Sequence, residues 1–202
     1  MTTIKTTVIL FFALVINMAA APAFAIQLDL MPGTQTVAPA DTASLDIVIS
    51  GLGAGSAPSL SSYDLEITYD DALLTPTLVN IGDPGLGDQL DLFGLGSIVS
   101  VTPGVGLLSI SELSLDLPSD LDLLQADNFI LASLTFTTLS VGNAAVGFGN
   151  VILGDSFGLP LAADVNGATI AIRNPVNGVP EPMTWALLLP GLAWLRGRRF
   201  RV

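Results

Sequence analysis

Carboxylates are the only plentiful titratable side chains in this sequence. Residues 26–178 carry seventeen of them against one base, Arg173, and the whole chain has no histidine and no cysteine. That removes thiolate and imidazole metal sites, cysteine nucleophiles and every general base built on histidine. Acids alone leave two kinds of chemistry. Glycoside hydrolysis needs two carboxyl groups about 5–10 Å apart, one with a raised pKa. Asp64 and Glu66 meet that spacing on one face of a strand, but the same alternation makes them the solvated side of a half-buried strand. Calcium needs hard oxygen ligands from loops. Asp83, Asp88 and Asp91 fall in one loop; Asp116, Asp120, Asp122 and Asp127 cluster in another. Neither set has the twelve-residue loop with glycine at position six and glutamate at twelve. Asp164-Val165-Asn166-Gly167 resembles a fragment of that loop, although a hairpin turn accounts better for the Asn-Gly pair. No cofactor or metal is assigned, with Ca2+ at the loop aspartates kept as the alternative. Gly85-Leu86-Gly87 and Gly94-Leu95-Gly96 are followed by neither lysine nor a helix start, so they form no phosphate cradle.

The elements that must position these acids are strands. Tyr63, Leu65, Ile67 and Tyr69 share one parity, and Asp64, Glu66 and Thr68 the other, the period of two of a half-buried strand. Leu45, Ile47 and Ile49 repeat the pattern within 44–50. Segments 98–101, 107–113, 129–138, 146–152 and 169–172 continue it. Within 129–138, Ile130, Ala132, Leu134 and Phe136 are expected on one face, with Phe129 and Leu131 on the other. Turn chemistry separates the runs: Gly51 to Pro58, Asp70-Asp71, Asp83 to Gly87, Pro103-Gly104, Gly142-Asn143 and Asn166-Gly167. Residues 118–128 have room for one short helical turn, and no longer helical period occurs in the body. Serial strands without helices between them predict an all-β, antiparallel β-sandwich or jelly roll over residues 26–173. A domain of that size buries roughly 70% of the surface its unfolded chain exposes, enough to dispense with disulfides.

Charge is distributed unevenly along the chain. The body is strongly acidic, at a formal −16, whereas residues 179–202 are basic. Such a body has no footprint for nucleic acid and is repelled by anionic lipid headgroups. Its lack of tryptophan also weighs against a sugar-stacking platform, since both tryptophans of the chain, Trp185 and Trp194, fall in the tail.

Both termini read as addresses. Residues 1–25 have a positive start at Lys5, an apolar core from Val8 to Met18 and the small-x-small pattern Ala23-Phe24-Ala25, which predicts a signal helix cleaved by signal peptidase ahead of Ile26. Residues 174–178 form a short linker. Then come Val179-Pro180-Glu181-Pro182, an apolar run from Met183 to Leu195, and the arginines Arg196, Arg198, Arg199 and Arg201. The prolines hold the four-residue box extended. The apolar run is shorter than the roughly 20 residues of an ordinary span, and the arginines would stay on the cytoplasmic side.

This three-part tail resembles the PEP-CTERM sorting signal of Gram-negative, exopolysaccharide-producing bacteria, and residues 179–202 match its box, short membrane helix and arginine cluster in order. The resemblance implies processing by exosortase, a membrane protease-transpeptidase, after transient anchoring by the C-terminal helix. The destination it implies is the cell envelope, the cell surface or the extracellular matrix.

The body resembles a cohesin domain. The resemblance rests on Leu45-x-Ile47-x-Ile49-x-Gly51, on the strand closing in Tyr69-Asp70 before Leu73, Leu74 and Pro76, and on Phe129 to Phe136. It extends to Val151-Ile152-Leu153 with Asp155 and to Asn166-Gly167-Ala168-Thr169-Ile170; residues 80–125 do not match closely. It implies a jelly-roll sandwich that binds rather than catalyses, with a dockerin-like protein or an extracellular polysaccharide as partner. A carbohydrate-binding module is the first alternative, and a secreted carboxylate-based polysaccharide hydrolase the second.

Overall fold

The computed structural model describes residues 25–175. Ala23 of the expected signal-peptidase site, the box Val179, Pro180, Glu181 and Pro182, the membrane helix that follows it and the cluster Arg196, Arg198, Arg199 and Arg201 lie outside the described residues. Ala25 is the first described residue and is exposed. Twelve strands and one helix follow: β1 (Ile26–Met31), β2 (Thr34–Val37), β3 (Thr42–Ser50), β4 (Leu60–Tyr69), β5 (Leu74–Ile81), β6 (Ile98–Pro103), β7 (Leu107–Leu113), α1 (Pro118–Leu124), β8 (Asn128–Thr138), β9 (Gly142–Asp155), β10 (Pro160–Leu161), β11 (Ala163–Asn166) and β12 (Ala168–Ile172).

The strands form two sheets. The first has the order β11-β1-β3-β8-β5; the second runs β2-β12-β9-β4-β7-β6, with β10 added beside the end of β9. Alternation explains why they face each other. Leu45, Ile47 and Ile49 on β3 point at Tyr63, Leu65 and Ile67 on β4, and all six are buried in one core with Leu28, Leu108, Ile110, Phe136 and Ile170. Burial of that apolar surface is the main stabilising term in a chain without cysteine. Among the described residues, the core and the strand pairings all lie between Ile26 and Ile172.

The structure bears out the all-β sandwich and corrects it in four places. It is not wholly antiparallel: β1 pairs in parallel with β11, and β2 with β12. Asn166-Gly167 is therefore no hairpin turn, because it carries the chain from β11 in one sheet to β12 in the other. In its place, Asn166 Nδ2 donates to Asp29 Oδ1 at 2.7 Å, tying β11 to β1. Gly142-Asn143 begins β9 rather than turning, since the turn falls just before it, ahead of Gly142. On β8, Phe129 and Leu131 share the core with Ala132, Leu134 and Phe136, and Ile130 turns outward. The cause is a bulge: Ile47 pairs with Ala132 but Val48 pairs with Ile130, leaving Leu131 unopposed. One extra residue switches the face of everything before it.

Strands β2, β5, β10 and β11 carry weak or short alternation and were not foreseen; β1 was not foreseen either, although it alternates cleanly, with Ile26, Leu28 and Leu30 buried. The helical turn foreseen in 118–128 is α1, with Pro118 in its first turn and Leu121 buried. Asp122 Oδ1 pins α1 to the sandwich by accepting from Ser59 Oγ (2.6 Å) and Ser156 Oγ (3.0 Å). Gly51, after β3, needs to be glycine: its φ is +84°, and a Cβ there would sit 2.6 Å from the Ala25 carbonyl oxygen.

Candidate functional site

The outer face of the second sheet is assembled by register. Ile98, Leu113 and Ser62 lie side by side across β6, β7 and β4, with Gly154 of β9 next to Ser62. The next row is Ser100, Ser111, Asp64 and Ile152, and the one after it Thr102, Ser109 and Glu66. Opposite Glu66, β9 carries a bulge and Gly149, where a Cβ would come within 3.2 Å of Thr68 Cγ2 and 3.4 Å of Glu66 Oε2. Serines and glycines fill the middle of the face, with Ile98, Leu113 and Ile152 exposed toward its rim. Asp64 and Glu66 stand on its outer side, as their parity requires, with no cation paired to them among the described residues; the one described base, Arg173, donates to Asn143 Oδ1 at 2.9 Å.

One end of this face reverses the usual pattern. From β7 onward, Glu112, Ser114 and Asp116 are 2%, 9% and 9% exposed, whereas Leu113, Leu115 and Leu117 are 45%, 54% and 64% exposed. Polar groups point into the protein and leucines into solvent. Ile98, 59% exposed, stands beside Leu113 and widens the apolar row. A single exposed leucine is ordinary; three in alternation beside Ile98 are an exposed apolar feature out of the usual pattern.

The inward acids are held by the loop from Gly82 to Ser97. Glu112 Oε2 accepts from the Tyr63 hydroxyl at 2.9 Å and Oε1 from Ser97 Oγ at 2.5 Å. Burial pushes the Glu112 carboxyl up to about 7, Asp88 beside it pushes the same way, and the two hydroxyl hydrogen bonds pull against the shift. Burial also pushes the Tyr63 hydroxyl up, so it stays protonated and donates. Asp116 Oδ2 accepts from the Leu92 N–H at 2.7 Å, and its Oδ1 is buried without a partner among the described residues. The structure therefore does bring two carboxyl groups together, Asp88 and Glu112, but beneath a loop and not in a cleft. Sequence reasoning missed the pair. The signal was there: Glu112 falls on the parity of Leu108 and Ile110, the buried face of β7.

Of the aspartates singled out for calcium, Asp83, Asp88, Asp91 and Asp116 serve backbone amides, and Asp122 accepts from serine hydroxyls. Asp83 Oδ1 accepts from Gly85 N and Leu86 N, and its Oδ2 from Ile130 N at 3.0 Å, which together hold its carboxyl below the usual range. Asp88 accepts from Leu90 N and Asp91 from Gly96 N, both at 2.9 Å. Among the described residues no three acids come together as a metal ion requires.

No family model matches the chain, and no curated protein does. Solved structures do resemble it. A cohesin from Clostridium acetobutylicum is 22% identical, with a TM-score of 0.57, over 77% of this chain and 94% of that one. A cohesin from Clostridium thermocellum, solved in a type I cohesin–dockerin complex, is 13% identical with a TM-score of 0.59, over 78% and 99%. A non-cellulosomal cohesin from the archaeon Archaeoglobus fulgidus is 12% identical with a TM-score of 0.55, over 74% and 92%. At such identities the likeness is one of fold, and the described domain is a cohesin-like β-sandwich.

Proposed function

We propose that this protein is a non-enzymatic binding module that docks a dockerin-like protein on the outer face of its second sheet. The observation that carries the reading is the inversion along residues 112–117, where leucines stand in solvent while acids occupy the interior. Exposing Leu113, Leu115 and Leu117 forgoes burial of apolar surface, and burying Glu112 costs desolvation. A partner that covers the leucines offsets the first cost. Structural neighbours solved with bound dockerins support a partner of that class. A protein partner fits this face better than polysaccharide does. Tyr63 is buried, Tyr69 packs on Phe136, and the exposed phenylalanines Phe93 and Phe157 belong to different loops, so no aromatic platform for sugar rings forms among the described residues. A hydrolase is disfavoured for a related reason: Glu112 is sealed beneath Ser97 and Tyr63, out of substrate reach.

The same proposal includes export and sorting. Strand β1 begins at Ile26, and β12 ends at Ile172 with Arg173 N–H bonded to the Val37 carbonyl. Cleavage after Ala25 and processing at the Val179–Pro182 box would therefore leave every strand intact. The test of the binding role is an array of dockerin modules and polysaccharides probed with the domain 26–175. Saturable binding to a dockerin with none to glycans supports the reading, and glycan binding alone overturns it.

A further inference from the structure

We propose that the edge of β6, unpaired among the described residues, joins two copies of this chain, β6 against β6, in an antiparallel pair centred on Ser100. This goes beyond the docking role and does not depend on it. Each sheet ends in two strands, and three of the four ends are poor templates for pairing. Strands β2 and β11 have four residues each, and β11 carries Asp164. Strand β5 is longer but bulged between Pro76 and Leu78. Strand β6 differs from all three. Its six residues, Ile98-Val99-Ser100-Val101-Thr102-Pro103, are all exposed and uncharged, four of them β-branched. Its register with β7 is unbroken, and its one proline stands at the last position. Natural edges are usually blunted by charge, bulge or proline, and this one is not.

Register is what favours a second copy as the occupant, and charge does not oppose it at this edge. Two bodies at −16 repel wherever carboxylates meet. At β6 they need not meet: the neighbouring strand presents Ser109, Ser111 and Leu113 outward, and its Glu112 is buried. Residues opposite each other in an antiparallel pair must share a face. A twofold axis through Ser100 sets Ile98 against Thr102 on the outer face and Val99 against Val101 on the inner one, with β-branched side chains in every flanking pair. The inner valines also meet an unexplained feature. Val101, Pro103 and Leu108 line an apolar slot of about 250 Å³ facing Pro76, Leu78 and Val79 of β5. The second copy's Val99 and Val101 extend that lining and cover the slot's open side. The outer faces of the two copies then form one continuous sheet surface with two docking sites.

Because the chain has no cysteine, crosslinking tests the geometry directly. Ser100→Cys in the domain 26–175 places two thiols opposite each other, within reach of a disulfide. Under mild oxidation it should form covalent dimers far faster than Asn150→Cys, an exposed position on β9. Sedimentation equilibrium of the unmodified domain should show a monomer–dimer equilibrium that strengthens with salt as the acidic bodies are screened. Val101→Lys should weaken it roughly tenfold or more by setting charge against the partner strand, with circular dichroism confirming the fold. A monomer at every concentration and salt overturns the proposal. So does a dimer indifferent to Val101→Lys, or equal crosslinking of the two cysteine variants.

Discussion

Tyr63 donates its hydroxyl hydrogen to Glu112 Oε2 at 2.9 Å from the neighbouring strand, inside the sandwich, where neither side chain is more than 2% exposed. The bond couples the core to the loop carrying Ser97 and Asp88. A carboxyl group raised to about 7 favours its protonated form in the fold, whereas the unfolded chain ionises it near 4.5. Between those values the unfolded state binds fewer protons, so this group lowers stability as pH rises. Its contribution is intact below about 4.5 and lost above about 7.

Glu112→Gln removes that titration. The melting temperature of the variant relative to the parent should rise from pH 5 to about pH 7 and level off above it. Thermal melts at fixed ionic strength check it, and a difference that does not change with pH contradicts the buried-acid account.

Asp83 has the opposite sign. Its carboxylate accepts from Ile130, Leu86 and Gly85 N–H groups, which hold its pKa below 3.8, so it stabilises above that value and less as the carboxylate is protonated. Asp83→Ala should lower the melting temperature at pH 7, with the gap narrowing as the solution is acidified below 3.8.

Gln125 behaves as a substitute strand. Its Oε1 accepts from Leu60 N–H at 2.7 Å, and its Nε2 donates to the Leu60 and Gln89 carbonyls at 2.8 and 2.9 Å. Gln125→Ala should destabilise the domain by about 2–4 kcal/mol, because each orphaned buried group costs about 1–3 kcal/mol and water re-satisfies some of them. Denaturant unfolding measures this.

Much of the fold is legible because alternation encodes it. Strands β3, β4 and β7 follow from the parity of Leu45, Leu65 and Ile110. What parity cannot show is a bulge. Phe129, Leu131, Ala132 and Leu134 all reach one core only because Leu131 is unopposed, a fact of register with Ile47 and not of the segment itself. The parallel partners of β1 and β12 are equally invisible locally. Residues 112–117 were legible and passed over: Ile110, Glu112, Ser114 and Asp116 share a parity, and so do Leu113, Leu115 and Leu117. Exposed leucine is common enough on any surface that the alternation drew no reading.

Sorting rests on the tail, outside the described residues. A reporter fused to residues 174–202 behind a signal peptide should reach the surface only in a strain with an exosortase. Pro180→Ala with Glu181→Ala should leave it uncleaved in the membrane, as immunoblotting of fractions will show. Processing at the parent rate would make the tail an ordinary anchor.

The central claim is that the solvent-facing leucines of residues 112–117 are the docking surface. Titration calorimetry of the domain with a dockerin that binds it, comparing the parent with Leu113→Asp/Leu115→Asp, tests this most directly. Val165→Asp, at an exposed valine on β11 at the other sheet's edge, is the control. The double variant should keep its fold and lose at least about tenfold in affinity, or about 1.4 kcal/mol, while Val165→Asp binds as the parent does. Equal affinity for the double variant and the parent would contradict the account.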